Sequence, residues 1–106
     1  MANEESKRRF ARIQGFEWDE NKRRANVAKH GIDFVDAADV FADPMPFIYR
    51  SAQSSNEERY VAIGNSKGTI IAVVFTRREG KLRIISARAA RKSERESYDE
   101  KRKKSR

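Results

Sequence analysis

The sequence contains no cysteine and only one histidine among its 106 residues. The absence of cysteine excludes disulfide bonds, thiolate metal sites and a cysteine nucleophile, and it is compatible with a reducing compartment. A single histidine excludes catalysis by two histidines acting as general acid and general base. Neither a metal-ligand spacing nor a glycine-rich phosphate loop is present, so we expect no metal and no other cofactor.

Long apolar stretches are also missing. No run approaches the roughly 20 apolar residues of a membrane-spanning helix, and the first five residues are polar and acidic, unlike a secretory signal. We therefore expect a cytoplasmic protein that does not contact membranes. The length is sufficient for one compact domain with one modest core.

Basic residues are abundant and unevenly distributed along the chain, whose formal net charge is +8. Residues 16–47 carry seven acidic and four basic side chains, whereas residues 48–90 carry three acidic and eight basic ones. Residues 91–106 add four acidic and eight basic side chains. A basic second half favours a polyanionic partner, with nucleic acid as the first candidate. Solvated lysines and arginines without a partner are the alternative.

The apolar pattern predicts an α+β fold. A strand is expected at residues 12–18, followed by a helix that Asp19 caps and Gly31 ends. A second helix begins after Asp33 and ends at the prolines that follow Asp43. Runs rich in β-branched and aromatic residues predict strands at 47–49, 59–64, 69–76 and 81–88. From Ala89 onward, the chain is expected to be helical.

Short polar loops between the last three strands favour antiparallel hairpins. The predicted architecture is therefore two N-terminal helices and a C-terminal helix, packed on one face of a twisted, mainly antiparallel sheet. Residues 1–15 are predicted to be a flexible extension, residues 16–100 the single domain, and residues 101–106 a frayed basic tail.

Three segments carry a resemblance to a known family. The first is Phe16-Glu17-Trp18-Asp19, continued by Lys22, Asn26 and Lys29-His30-Gly31-Ile32-Asp33-Phe34. The second is Glu58-Arg59-Tyr60 with Ile63-Gly64. The third is Arg83-Ile84-Ile85-Ser86-Ala87-Arg88, followed by Ala90, Glu94 and Tyr98. In order and spacing, these segments resemble the BrnT family of ribonuclease toxins from residue 16 to about residue 100.

The resemblance implies a compact RelE-like fold and a metal-independent endoribonuclease that cleaves RNA and arrests growth. It also implies a type II toxin–antitoxin system, in which a DNA-binding, BrnA-like antitoxin neutralises the toxin. Operator DNA would be contacted only through the complex with that antitoxin.

Metal-free cleavage of RNA uses the ribose 2′-hydroxyl as the nucleophile. A base removes its proton, cations hold the charge on the phosphorane, and an acid protonates the leaving oxygen. Arg88 is the leading candidate for the cation, because a guanidinium suits phosphate and a strand end holds it rigidly. Strand alternation predicts that it shares a face with Leu82, Ile84 and Ser86. An ion pair with Glu94 or Asp99 that fastens the helix to the sheet is the alternative.

Two neighbouring residues open a predicted strand. Glu58 is a candidate proton acceptor and Arg59 its phosphate-binding partner, or these residues take part in a cross-strand ion pair. Arg77 and Arg91 are candidate phosphate ligands beside Arg88, with solvated positions as the alternative.

Three further side chains have two interpretations each. His30 is a candidate for proton transfer, or it caps the end of its helix. Lys29 is a second candidate for proton transfer, or it is solvated. Tyr98 could contact RNA by stacking on a base, or it anchors the last helix to the sheet.

Two other classes of function fit the same composition. A non-catalytic nucleic-acid-binding module would use the basic face without cutting RNA. An interaction protein would use it to hold an acidic partner. Substitution of Arg88 by Ala separates them, because it abolishes cleavage in an enzyme and only weakens affinity in a binding module.

Overall fold

The computed structural model describes residues 15–52 and 57–105, and within these ranges it has five strands and three α-helices in an α+β fold. The strands are β1 (Phe16–Glu17), β2 (Phe47–Arg50), β3 (Tyr60–Ser66), β4 (Thr69–Arg78) and β5 (Lys81–Ala89). The helices are α1 (Glu20–His30), α2 (Phe34–Ala37) and α3 (Lys92–Lys104), and a 3₁₀ helix, Ala38–Ala42, follows α2.

The strands form one mixed sheet in the order β1-β5-β4-β3-β2. Strands β2 to β5 are an antiparallel meander, as the sequence predicts, and β1 adds to β5 in parallel. Both hairpins close through two residues with positive φ, Lys67-Gly68 and Glu79-Gly80. Turns with two left-handed residues match the twist of the flanking strands, which explains why such short loops suffice.

Both ends predicted for the first helix and the start predicted for the second are confirmed, whereas the second α-helix ends at Ala37 and continues only as a 3₁₀ helix to Ala42. The side chain of Asp19 accepts hydrogen bonds from the backbone of Asn21 and Lys22 at 2.8 and 3.1 Å, and α1 ends at Gly31 with φ of 71°. Asp33 caps α2 by accepting from the backbone of Val35 at 2.9 Å. These caps satisfy amide groups that the first turn of a helix leaves without partners.

The helices pack on both faces of the sheet, so the prediction that they share one face is wrong. The face that we call the α1 face carries Ile71, Val73 and Phe75 of β4, packed with α2 and the 3₁₀ helix. The opposite face, the α3 face, carries Ala72 and Val74, packed with Tyr98 of α3. Because β4 carries apolar side chains on both faces, other elements must pack against each face to shield them from water.

A β-bulge in β5 exchanges the faces of the last residues of that strand. Val74 pairs with Ser86 but Phe75 pairs with Ile84, so Ile85 is the extra residue. Ala87 therefore lies on the α1 face with Leu82 and Ile84, and Arg88 lies on the α3 face. The predicted row of Leu82, Ile84, Ser86 and Arg88 is wrong, because simple alternation does not count the additional residue.

The ends of the chain differ in part from the prediction. Residues 101–104 continue α3, where a frayed tail was expected, and Lys101 Nζ donates to the carbonyl oxygen of Pro46 at 2.8 Å. Strand β1 is shorter than the predicted strand 12–18. The predicted extension over residues 1–14, the start of that strand and the loop at 53–56 lie outside the described residues.

Asn26 joins α1 to the sheet through its buried side chain. Its amide nitrogen donates to the carbonyl oxygens of Ile32 and Ala87, both at 2.9 Å, and its amide oxygen accepts from the backbone of Ala87 at 3.1 Å. Strand β1 pairs only with the first part of β5, and the Asn26 amide makes the backbone hydrogen bonds at Ala87 that a longer neighbouring strand would make.

We expect Asn26→Ala to lower the free energy of unfolding by about 2–4 kcal/mol, because it leaves buried backbone groups of Ala87 without partners. Urea denaturation measures the loss. Asn21→Ala on the exposed side of the same helix is the matched control and should change stability by less than about 0.5 kcal/mol. Equal effects of the two substitutions would refute the role assigned to Asn26.

Candidate active site

Arg88 on the α3 face forms a two-pronged ion pair with Glu94 of α3. Its Nη1 donates to Glu94 Oε1 at 2.7 Å and its Nη2 to Oε2 at 2.9 Å. The side chain of Arg88 is 20% exposed and that of Glu94 is 6% exposed. The guanidinium is therefore held in a fixed orientation while part of it stays accessible to solvent.

The carboxylate of Glu94 receives four donors. Besides the two from Arg88, the backbone N–H of Arg91 donates to Oε1 at 2.8 Å, and the hydroxyl of Tyr49 donates to Oε2. Burial disfavours the charged form, but the hydrogen bonds from Arg88, Tyr49 and Arg91 outweigh it and hold the pKa of Glu94 at about 2. The hydrogen bond that Arg88 donates to Glu94 raises the pKa of Arg88 in turn. Both groups are charged at neutral pH.

A shallow groove between β2 and α3 adjoins this ion pair. It has a volume of about 300 Å³ and is lined by Phe47, Tyr49, Arg91, Ser93, Glu94 and Ser97. Arg91 is the N-cap of α3 and is exposed, and its backbone N–H lies beside the ion pair because it donates to Glu94 Oε1.

Much of the α3 face over β4 and β5 is only partly covered, because α3 packs mainly against β2 and β3. We call this part, with Val74, Ser86 and Arg88, the open face; its side chains are half-buried. Arg83 borders it beside the sheet edge and donates to Glu17 at 2.6 Å. Arginines on a sheet face that the described residues cover only in part are suited to bind a polyanion.

Arg59 belongs to the same face by strand alternation, since the following residue, Tyr60, packs on the α1 face. Its Nε is buried and has no hydrogen-bond partner in the part of the chain that the structure describes. Counted along β4, the residue opposite Arg59 and the residue opposite Arg88 are four positions apart, which corresponds to about 13 Å. The two arginines thus share a face but do not touch the same group.

The other predicted candidates lie away from Arg88. Lys29 and His30 are exposed at the end of α1, and Ile32, two residues further on, packs with the cluster on the α1 face. Glu58 accepts from the hydroxyl of Tyr60 at 2.7 Å and pairs with Arg50 at 3.1 Å. The expected grouping of Glu58, His30 or Lys29 with Arg88 is therefore absent from the described ranges.

Arg77 lies near Glu58 and Tyr60. The hydrogen bond to Glu58 raises the pKa of Tyr60, and the positive charge of Arg77 opposes this shift. It pairs across the hairpin with Leu82, whose side chain is in the core on the α1 face. Arg77 and Arg88 consequently lie on opposite faces, and the predicted single patch of both is not formed.

Tyr98 is buried, with 4% of its surface exposed, and it anchors α3. Its hydroxyl donates to Asp43 Oδ2 at 2.6 Å and accepts from Arg102 Nη1 at 3.0 Å. Burial and then the Asp43 hydrogen bond raise the pKa of Tyr98 to about 12. The structure therefore agrees with the alternative interpretation of Tyr98, and its ring is not accessible to a base.

Comparison with known proteins identifies the family. A family model described as "Ribonuclease toxin, BrnT, of type II toxin-antitoxin system" matches residues 18–94, a range that contains Tyr49, Arg59, Arg88 and Glu94. The chain belongs to the BrnT family. The resemblance noted from the three sequence segments is thus confirmed. No curated protein matches the chain significantly. BrnT toxins are ribonucleases and act in systems that include an antitoxin.

Within the described ranges, none of the helices has the length and apolar character needed to cross a lipid bilayer. Among the same residues, no three His, Asp or Glu side chains are grouped so as to hold a metal ion.

The sequence did not reveal Tyr49 as part of the site. It was assigned only to a short strand, although alternation with the exposed residue Ile48 indicates that Tyr49 faces the sheet interior. Glu94 was considered only as a structural partner of Arg88. A sequence signal for it does exist, because a Glu three residues after the N-cap of a helix commonly bonds to the N-cap backbone.

Glu94 makes stability dependent on pH. Its pKa in the folded chain is about 2, below the ordinary value of 4.5, so its contribution is complete above about pH 4.5 and is lost as the pH falls towards 2. We expect this loss to be of the order of 3 kcal/mol, measured by urea unfolding between pH 2 and pH 6.

Glu94→Gln should remove this part of the pH dependence. Glu96→Gln is the matched control, because Glu96 lies on the same helix and is exposed. It should keep the pH dependence of the unaltered chain. Identical profiles for the two variants would contradict the low pKa.

Proposed function

We propose that this BrnT chain is an endoribonuclease that needs no metal and uses the ribose 2′-hydroxyl as its nucleophile. The observation that carries the proposal is the orientation of Arg88, which Glu94 holds at the border of a partly uncovered sheet face. The arginines at 59, 83 and 91 surround the same surface. Arginines can stabilise the charge of a phosphorane, a task that a metal ion performs in other nucleases.

The guanidinium of Arg88 has a second pair of donors. Its Nη1 and Nη2 are used by Glu94, and Nη1 also donates to the carbonyl oxygen of Ala89 at 3.3 Å. In the described part of the chain, the hydrogen bonds of the Arg88 side chain come from Nη1 and Nη2 and none from Nε, and the side chain is 20% exposed. The Nε–H and the second Nη2–H are parallel, so they can bind two oxygens of one phosphate while Glu94 stays in place.

The proposed reaction balances without another reactant. The 2′-oxygen loses its proton to a base and attacks phosphorus, and the bond from phosphorus to the 5′-oxygen breaks. The leaving oxygen takes a proton, so the products have a 2′,3′-cyclic phosphate and a 5′-hydroxyl. Glu94 is unsuited to be the base, because its pKa of about 2 and its four donors keep it ionised and occupied.

We further propose that a DNA-binding, BrnA-like antitoxin neutralises the chain by covering the open face. Support comes from the family, which is defined by type II toxin–antitoxin systems, and from the net charge of +8, which favours an acidic partner. Operator DNA would then be bound by the antitoxin of the complex. We also propose that the fold is similar to that of the RelE toxins.

The test is incubation of the purified chain with labelled single-stranded RNA in excess chelator, alone and with translating ribosomes. We expect cleavage that leaves 2′,3′-cyclic phosphate ends. Arg88→Ala should lower the rate at least 100-fold, since transition-state donors of this kind contribute about that much. Arg88→Lys should restore little, because an ammonium cannot bind two oxygens in parallel.

Arg24→Ala is the control, because Arg24 is exposed on α1, which supplies none of the residues bonded to Arg88 or Glu94. It should cleave at the rate of the unaltered chain. Intact RNA in both assays, together with RNA binding that Arg88→Ala weakens only slightly, would reject the enzyme and favour a non-catalytic binding module.

A further inference from the structure

Tyr49 and Arg91 place fixed donors on the two sides of the Glu94 carboxylate. Oε1 accepts from Arg88 Nη1 and from the backbone N–H of Arg91, at 2.7 and 2.8 Å. Oε2 accepts from Arg88 Nη2 at 2.9 Å and from the hydroxyl of Tyr49. Each oxygen therefore has one donor from the guanidinium and one donor that belongs to a different part of the chain.

The arrangement fixes the plane of the carboxylate. A carboxylate that meets only a guanidinium can turn about its last torsion angle together with that partner, since this torsion has a broad energy minimum. Two donors outside the guanidinium, one at each oxygen, prevent the rotation. Because the ion pair is two-pronged, fixing the carboxylate also fixes the direction in which the free Nε edge of Arg88 points.

The hydroxyl of Tyr49 is itself well positioned. Tyr49 lies on β2, paired with Val61 of β3, and its ring packs against Phe47 with centroids 6.0 Å apart. Burial, followed by the hydrogen bond to Glu94, raises the pKa of Tyr49, so the phenol remains a protonated donor at neutral pH. Strands β4 and β3 lie between β5 and β2, so the tyrosine connects the far edge of the sheet to Arg88.

We propose that Tyr49 is a positioning residue of the ribonuclease site, which orients Arg88 through Glu94. The role in catalysis rests on the proposed function, whereas the orientation of Arg88 can be tested without it. Removal of the hydroxyl leaves Oε2 with the guanidinium as its remaining donor among the described residues. The ion pair then persists but turns, and the Nε edge is no longer held towards the open face.

The kinetic test measures kcat and KM for RNA cleavage by Tyr49→Phe, Glu94→Gln and the double variant. Tyr49→Phe should lower kcat about tenfold, which corresponds to the loss of one hydrogen bond to a charged group. KM should change less than about twofold, because the other arginines still hold the RNA. The double variant should be no slower than Glu94→Gln, since both substitutions act through Arg88.

Tyr60→Phe is a matched control, because the hydroxyl of Tyr60 also donates to a glutamate, Glu58, but on the opposite face of the sheet. It should leave kcat within about twofold of the unaltered chain. Equal rates for Tyr49→Phe and Tyr60→Phe, or additive effects of Tyr49→Phe and Glu94→Gln, would overturn the proposal.

A second measurement does not depend on cleavage. Nitrogen-15 NMR of the arginine side chains reports how fast the Nη groups rotate, and the Nη signals of Arg88 should be separate and slowly exchanging in the unaltered chain. Tyr49→Phe should accelerate their exchange, and Tyr60→Phe should not. If the chain failed to cut RNA, the proposed function would fall, and this measurement would still decide whether Tyr49 orients Arg88. Unchanged exchange in Tyr49→Phe would reject the inference.

Discussion

The buried carboxylate of Glu94 is the constraint on which the arrangement of this domain depends. A charged group removed from water must receive a full set of donors, or its burial costs several kcal/mol. Glu94 receives them from three elements: Tyr49 of β2, Arg88 of β5 and the first turn of α3. The carboxylate is therefore fully paired only when β2, β5 and α3 are all in place, so the site is complete only in the folded domain.

A second buried polar contact, between Tyr98 and Asp43, lies one helical turn further along α3. Tyr98 follows Glu94 by four residues, so both side chains face the sheet from the same side of the helix. Asp43, which Tyr98 contacts, also accepts from the backbone of Met45 and Asn65. Gly64 permits this approach, because a Cβ at that position would lie 2.9 Å from Val40. The helix that presents Glu94 is thus aligned at two points along its length.

Local features of the fold were predictable because their causes are local. Asp19 and Gly31 define α1 by hydrogen bonding and by backbone conformation, and the positive φ of Lys67-Gly68 belongs to a two-residue turn. The distribution of helices over two faces was not predictable from the pattern near α3, because that helix exposes almost all of its charged residues. Glu94 and Tyr98 alone are buried in it, and charge and hydroxyl groups do not mark them as inward-facing.

The candidate site was predictable at Arg88 but not in its surroundings. A strand-ending arginine before a helix is visible in the sequence, and its partner Glu94 was one of two alternatives considered. Its neighbours depend on which face each strand presents, and that information is tertiary. Lys29 and His30 are close to family motifs in the sequence, yet they lie at the exposed end of α1, next to Ile32, which packs on the α1 face. Tyr49 comes into the site because β2 and α3 meet there, although 45 residues separate it from Glu94.

The extra residue in β5 makes the chemistry of the site depend on strand pairing as well as on residue identity. A point substitution at Ile85 changes a side chain and leaves Arg88 on its face. Deletion of Ile85 would restore plain alternation and leave Arg88 opposite Ala72 on the α3 face, because the remaining residues keep their partners on β4. Loss of the bulge without loss of a residue would instead turn Arg88 towards the α1 face, so in relatives of this chain the face of the arginine follows from its partner on β4 and not from its distance to the start of the last strand.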